Sequence, residues 1–424
     1  MQTYDSYKSS GIDWLGEIPS HWECKRLGNW FEERREKVSD KDFEPLSVTK
    51  NGIVPQLENA AKSNDGDNRK LVKMGDFVIN SRSDRKGSSG LSPLDGSVSL
   101  INIVMKPRNV SGVFINHLLK SNGFIEEFYR NGHGIVADLW TTRYDEMKFI
   151  HLAIPPISEQ EAIAAFLDEK CGKIDELVSV KEQQIALLKE RRQIIIHEAV
   201  TKGLDTQVEM KDSGIDWIGE IPEHWEVKKI KYLFSVIGGG TPSKERAQFW
   251  NGDIPWVSPK DMKFKNITTT EDNITKEAVE NSSTTLVKKG SLLVVVRSGI
   301  LQRTIPLAFA NLDLTINQDL KAFIQVSYMN TNYLYLFIKG CENFLLNEWV
   351  KAGATVESIE VQLMLNHLII LPPLHEQEQI VTYLEEQTSQ IDLAIVKKTE
   401  QIAKLKEYKQ SLINEVVTGK VRVA

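Results

Sequence analysis

Residues 10–23 read SGIDWLGEIPSHWE, and residues 213–226 read SGIDWIGEIPEHWE. The two phrases differ only at Leu15/Ile218 and Ser20/Glu223. An uncommon, tryptophan-bearing phrase spelled twice makes the chain a duplicated frame, and a duplication decides the fold before any local propensity does. The repeat has a second end. Ile154-Pro155-Pro156-Ile157-Ser158-Glu159-Gln160-Glu161 is answered by Leu371-Pro372-Pro373-Leu374-His375-Glu376-Gln377-Glu378. The offset is 213 − 10 = 203 at the start and 371 − 154 = 217 at the end. Each half therefore has a matching start, a matching end and a middle free to differ.

The matching ends are helical. Pro-Pro forces an extended entry, and Ser158 with Glu161 fits the spacing at which two side chains close a helix start. His375 is a poorer cap at the second copy. The pattern predicts a short helix to about Lys170, an interruption at Cys171-Gly172, and a longer helix over 174–200 with Gly203 just past its end. Its counterpart runs over 391–417. Steps of four and three from Ile174 reach Val178, Lys181, Ile185, Leu188, Arg192, Ile195 and Ala199. The matching positions are Ile391, Ile395, Lys398, Ile402, Leu405, Lys409, Leu412 and Val416. This heptad spacing asks for a partner helix, and the nearest partner is the other copy. Packing of each helix on its own globular half is the alternative. A helix of this length spans about 40 Å at ~1.5 Å per residue, a rigid spacer if the two copies pair antiparallel.

The chain of 424 residues is long enough for two or three domains, with 41% apolar and 26% charged residues. No apolar run suits a membrane span, and the N-terminal residues carry no apolar core of a secretory signal. Cys24, Cys171 and Cys341 are far apart and odd in number, which supports neither a disulfide framework nor a zinc site. A reducing cytoplasm is expected. The net charge of −6 speaks weakly against nucleic-acid binding. Residues 20–150 carry 20 basic and 18 acidic side chains, and residues 223–367 carry 16 and 15. The excess acid, −6 − 2 − 1 = −9, thus lies outside the two middles, where local basic faces remain open.

The first middle predicts strands over 43–49, 77–81, 98–105 and 149–154; the second over 254–257, 291–297, 320–326 and 368–371. Helices are expected over 113–122 and 330–340. Polar, basic loops follow several of these strands. They hold Thr49, Lys50 and Asn51; Ser81, Arg82, Arg85 and Lys86; Thr241, Ser243 and Lys244; Ser258 and Lys260; and Arg297 and Ser298. Such side chains pair with phosphate oxygens and base edges. Any one of these loops taken alone also reads as a solvated turn. Several of them on a duplicated frame favour nucleic acid.

No catalytic constellation appears. GGGTPSK fails the phosphate-loop spacing, and neither a zinc-protease nor a dinucleotide motif occurs. His21 and His224 sit inside the repeated phrase and read as structural. Trp14/Trp217 and Trp22/Trp225 read as packing anchors where the chain enters each half. The Pro-Pro pairs follow Ile154 and Leu371 and are not the Pro-Pro of an adenine methyltransferase.

Together, the repeated W-[LI]-G-E-I-P-x-H-W-E, the variable middles, the [IL]-P-P-[IL]-x-E-Q-E ends and the heptad helices resemble the specificity subunit of type I restriction-modification systems. Glu198-Ala199-Val200-Thr201 and Glu415-Val416-Val417-Thr418-Gly419-Lys420 extend the likeness. So do Gly239-Gly240-Thr241-Pro242-Ser243, Trp250-Asn251-Gly252-Asp253-Ile254-Pro255-Trp256 and Asn317-Gln318-Asp319-Leu320. The first middle lacks these last phrases and reads as a different recognition type. The resemblance implies an α+β (mixed α/β) fold: two target-recognition domains separated by an antiparallel two-helix coiled coil, with an internal pseudo-twofold repeat. It divides the chain into 1–153, 154–203, 204–370 and 371–424. It implies a non-catalytic subunit that binds a bipartite site in double-stranded DNA, one half-site per domain. Two modification subunits and motor-nuclease restriction subunits would dock on it. S-adenosylmethionine, ATP and magnesium would belong to those partners, with no cofactor on this chain. Ile174, Val178, Ile185, Leu188, Ile195, Ile391, Ile395, Ile402, Leu405 and Leu412 would line the spacer. A scaffold whose middles bind protein instead of DNA is the competing reading.

Overall fold

The computed structural model describes residues 2–58, 66–134, 140–326, 328–351 and 356–423. They form two compact units, one of residues 1–183 with 398–424 and one of residues 184–397. The boundary falls inside both long helices, Ile157–Lys202 and Leu374–Val417. Each unit therefore contains part of each helix.

The frame of the first unit is an antiparallel sheet in the strand order Ser89–Leu91, Phe77–Asn80, Asn102–Pro107, Phe31–Glu33. The frame of the second is Leu307–Ala310, Leu292–Val295, Leu320–Gln325, Phe234–Gly238, with Asn266–Ile267 added at the edge. The central strands, FVIN and LLVV, are buried along their whole length. Such runs, apolar but for Asn80, suit strands covered on both faces. The registers coincide. Asn80 opposite Asn102 is matched by Val295 opposite Leu320. Ile79 opposite Ser89 is matched by Val294 opposite Leu307. Glu33 opposite Met105 is matched by Val236 opposite Phe323. A second pair also recurs: Val72 opposite Gly96, and Val287 opposite Leu314.

The repeated phrase clasps the start of a long helix in each unit. Trp22 and Trp225 are fully buried, and their Nε1 groups donate to Glu159 at 3.1 Å and Glu376 at 2.9 Å. His21 and His224 meet the same carboxylates at 2.8 and 2.6 Å. The neighbouring Gln160 and Gln377 accept from the backbone N–H of Ser111 and Asn330 and donate to the carbonyls of Pro155 and Pro372. The phrase continues into a strand that pairs with the segment just before Pro-Pro: Cys24 opposite Ala153, Val227 opposite Ile370. Each tryptophan also beds against the end of a long helix. A Cβ at Gly419 would meet Pro19 and Trp22, and one at Gly203 would stand 3.0 Å from Trp225. Both glycines hold positive φ, 74° and 79°, the left-handed turn that ends a helix.

Within each unit the long helices run antiparallel. In the first, Lys409 pairs with Asp175 at 2.6 Å and Lys181 donates to Gln401 at 2.7 Å. In the second, Arg192 pairs with Asp392 at 3.1 Å, the counterpart of Lys409–Asp175. The basic breaks in the heptad thus reach across the seam. Ile174, Val178, Ile391, Ile402 and Leu412 are buried, and Ile185, Leu188, Ile195, Ile395 and Leu405 are half-buried in otherwise exposed turns.

Three local expectations are corrected. The first helix runs unbroken through Cys171-Gly172. A helical glycine costs about 1 kcal/mol, and burial of Cys171 and Ile174 on either side offsets it. Ser158 and His375 are not caps, because the helices begin one residue earlier and Glu159 and Glu376 are turned back onto the tryptophans. The strand expected over 98–105 is two strands in different sheets, parted at Ser99-Leu100-Ile101.

Candidate nucleic-acid interface

In the second unit, four polar segments converge at one end of the sheet. Trp250–Val257 runs parallel to Leu314–Ile316, which sets Ser258 beside Asn317, whose N–H donates to the Val257 carbonyl. The Gly-Gly-Gly run lies against the same strand: Gly240 N–H donates to Ile316, and a Cβ at Gly239 would fall 2.0 Å from that carbonyl oxygen. No side chain but hydrogen fits there. Trp256 Nε1 locks the loop through the Gly240 carbonyl at 2.9 Å. The following Thr241 then reaches the exposed Gln318 at 2.5 Å. Asp319 closes the group, since its carbonyl accepts from Val296 and Arg297. Ser258 is engaged with Asp261 in a cap at 3.0 Å. Ser243, Lys244 and Lys260 are exposed beyond this group, and Ser298 caps the short helical turn Gly299–Gln302.

The first unit builds the same end from other side chains. Ser81 N–H donates to the Ile101 carbonyl, as Val296 does to Asp319. Arg82 is exposed, and the Ser81 hydroxyl is buried against Thr141 at 3.1 Å. Arg85 is exposed beside Asp84, whereas Lys86 is held by Glu126 at 2.7 Å. Thr49, Lys50 and Asn51 are not part of this group. They form the tip of the hairpin Leu46–Thr49/Gly52–Pro55, and the Thr49 hydroxyl closes that turn. Lys50 and Asn51 border a cleft of about 620 Å³ lined also by Asn116, His117, Lys120 and Lys409. Burial lowers the pKa of His117 and of Lys120 there; the Asp168 carboxylate opposes the shift at His117, and Lys409 adds to it at Lys120.

Among the described residues no group of His, Cys, Asp and Glu could hold a metal ion, and no helix is long and apolar enough to cross a membrane. The cysteines are free; burial raises the Cys341 thiol to about 12.

Comparison with known proteins bears on this polar surface. Residues 222–404 match the family model of the type I restriction modification DNA specificity domain. The EcoR124I/EcoR124II specificity subunit of Escherichia coli is 32% identical over 249 residues, 58% of this chain and 57% of that protein. The match therefore spans little more than half of that relative. A putative MjaX specificity subunit of Methanocaldococcus jannaschii is 24% identical over 96% of both chains. Residues 222–404 thus carry a type I restriction modification DNA specificity domain. A solved chain from work on complex assembly and conformational transition of the type I R-M system shares the fold. Its TM-score is 0.74 at 18% identity, covering 95% of this chain and 99% of that one.

Against that family background, the two units show a motif that the phrase-based reading passed over. Lys73-x-Gly75 … Arg82-Ser83 recurs as Lys288-x-Gly290 … Arg297-Ser298, at the constant offset 288 − 73 = 297 − 82 = 215. The glycines turn at φ 87° and 90°. Lys73 and Lys288 pair with Asp95 and Asp313 at 3.0 and 2.7 Å, and the next backbone N–H caps the same carboxylate. Gln318 was missed as a surface residue, as were Leu100 and Ile101, which stand exposed at its place in the first unit.

Proposed function

We propose that the chain is a non-catalytic, sequence-specific DNA-binding subunit. Each unit reads one half of a bipartite duplex target, and the paired helices fix the gap between halves. Partner modification and restriction subunits dock on this frame and supply the chemistry. S-adenosylmethionine, ATP and magnesium belong to those partners. The observation that carries the reading is the same sheet in the same register twice, with unlike polar loops at its matching end. A frame that repeats while its surface varies suits two readers with different targets. Contacts to phosphate hold register and contacts to base edges carry sequence. Two readers multiply their selectivity, since each wrong base pair costs about 1–3 kcal/mol.

The test is to replace residues 223–367 with the corresponding segment of another specificity subunit and sequence the methylome of cells that also express the modification subunit. One half of the methylated motif changes and the other stays. A scaffold that binds protein through its middles leaves the motif unaltered.

A further inference from the structure

We propose that Arg82 and Arg297 are matched phosphate clamps, each gripping the DNA backbone at its own half-site without reading sequence. The inference rests on the DNA-binding reading above and assigns a division of labour within it.

Three observations carry it. First, the two arginines occupy the same place. Each comes two residues after the central strand of its sheet, Phe77–Asn80 or Leu292–Val295, in registers that coincide. Each forms an antiparallel backbone bridge to the returning chain, Arg82 with Thr141 and Arg297 with Ser358. Their backbones are thus held while their side chains stand in solvent.

Second, neither guanidinium has a partner among the described residues, unlike other cations repeated between the halves. Lys25 and Lys228 pair with Glu23 and Glu226 at 2.6 and 2.5 Å. Lys73 and Lys288 are spent on Asp95 and Asp313. An unneutralised arginine retained at one point of both frames is available for an anion from outside.

Third, the residues around the arginines differ. Ser99-Leu100-Ile101 in the first unit stands where Asn317-Gln318-Asp319 stands in the second. Two heads that read different bases have one thing in common to bind, the sugar-phosphate backbone. What the heads share should then meet phosphate, and what they do not share should meet bases. The guanidinium fork binds phosphate through two parallel hydrogen bonds.

The experiment uses the full chain assembled with its modification subunit and two duplexes. One carries the motif that the wild type methylates; the other has one half-site scrambled. Arg82→Ala and Arg297→Ala each weaken binding about tenfold, by the same factor on both duplexes. Each lowers the slope of log affinity against log salt by about 1. Arg82→Lys and Arg297→Lys recover most of the loss, because a point charge still attracts phosphate, and the methylated motif stays the same. Unchanged affinity and salt slope in the alanine variants would falsify the clamp. So would relaxed preference at a base position that lysine fails to restore, since that marks a base reader. Both side chains are exposed, so thermal melts should match the wild type, and a lowered melting temperature would mark a structural role instead. A wild-type complex that binds neither duplex sinks the proposed function and this inference together, a result separable from failure of the arginines alone.

Discussion

The two units answer differently to sequence comparison although their frames are alike. Residues 222–404 match the family model, and the first middle lacks the phrases of the second. Yet the four strands of the first sheet pair in the register of the second. A sheet buried on both faces asks mainly for apolar side chains of fitting size at the right places, and LLVV and the first three residues of FVIN both meet that demand. A loop that sets a glycine within 2.0 Å of a carbonyl admits far fewer letters. Recognisable motifs therefore mark tight loops, whereas register marks the shared frame.

The clasps sharpen the comparison. Glu159 accepts from Trp22 and also from Tyr4, at 2.6 Å, and meets His21. Glu376 has Trp225 and His224, and Gln207 stands where a second tyrosine would be. Removing either carboxylate leaves a buried indole N–H without an acceptor. We expect Glu159→Ala to cost about 2–4 kcal/mol and Glu376→Ala about 1–3 kcal/mol, read from denaturant melts. Equal losses would mean that Tyr4 adds nothing to the first clasp.

A smaller effect concerns the reading surface. Gln318→Ala should relax one base position in the half-site of the second unit, costing about 1–3 kcal/mol of discrimination. Leu100→Ala should touch only the other half-site. Methylome sequencing checks both, and a change in both halves from either variant would break the assignment of one half per unit.

A further effect is one of pH. Burial pushes His367 down to about 4, and Ile150 occupies the matching place in the first unit. An unfolded histidine takes up a proton near pH 6.5 and the folded one does not, so stability contributed at neutral pH is lost as pH falls from about 6.5 towards about 4. His367→Ile should flatten that part of the stability curve by up to about one proton. An unchanged slope would show that the ring is protonated in place.

The duplication, the long helices and the heptad seam were legible because each is a periodicity or a literal repeat. The tryptophan anchors were legible as packing, but their partners were not. Glu159 and Glu376 look like ordinary first-turn acids until the fold brings Trp22 and Trp225 to them across more than a hundred residues. Among the loop residues, Arg82 and Arg297 stand at matched places, whereas Lys50 and Asn51 lie in a cleft beside Lys120. Lys86 spends its charge on Glu126. Such pairings depend on tertiary neighbours, which local sequence does not carry. The break at Ser99–Ile101 escaped because an apolar stretch shows no boundary where a chain crosses from one sheet to another.

One joint occurs both along the chain and across space. Lys202 and Gly203 pass by covalent bonds into the segment that leads to Trp225, whereas Gly419 meets Trp22 only through contact, with Arg422 N–H donating to the Gln2 carbonyl at 2.8 Å. A rearranged polypeptide that links 422 to 2 by a short loop and opens after 203 would keep every one of these contacts. The order of the two units along the chain is thus not what seats either of them, since the same joint forms with a covalent link and without one.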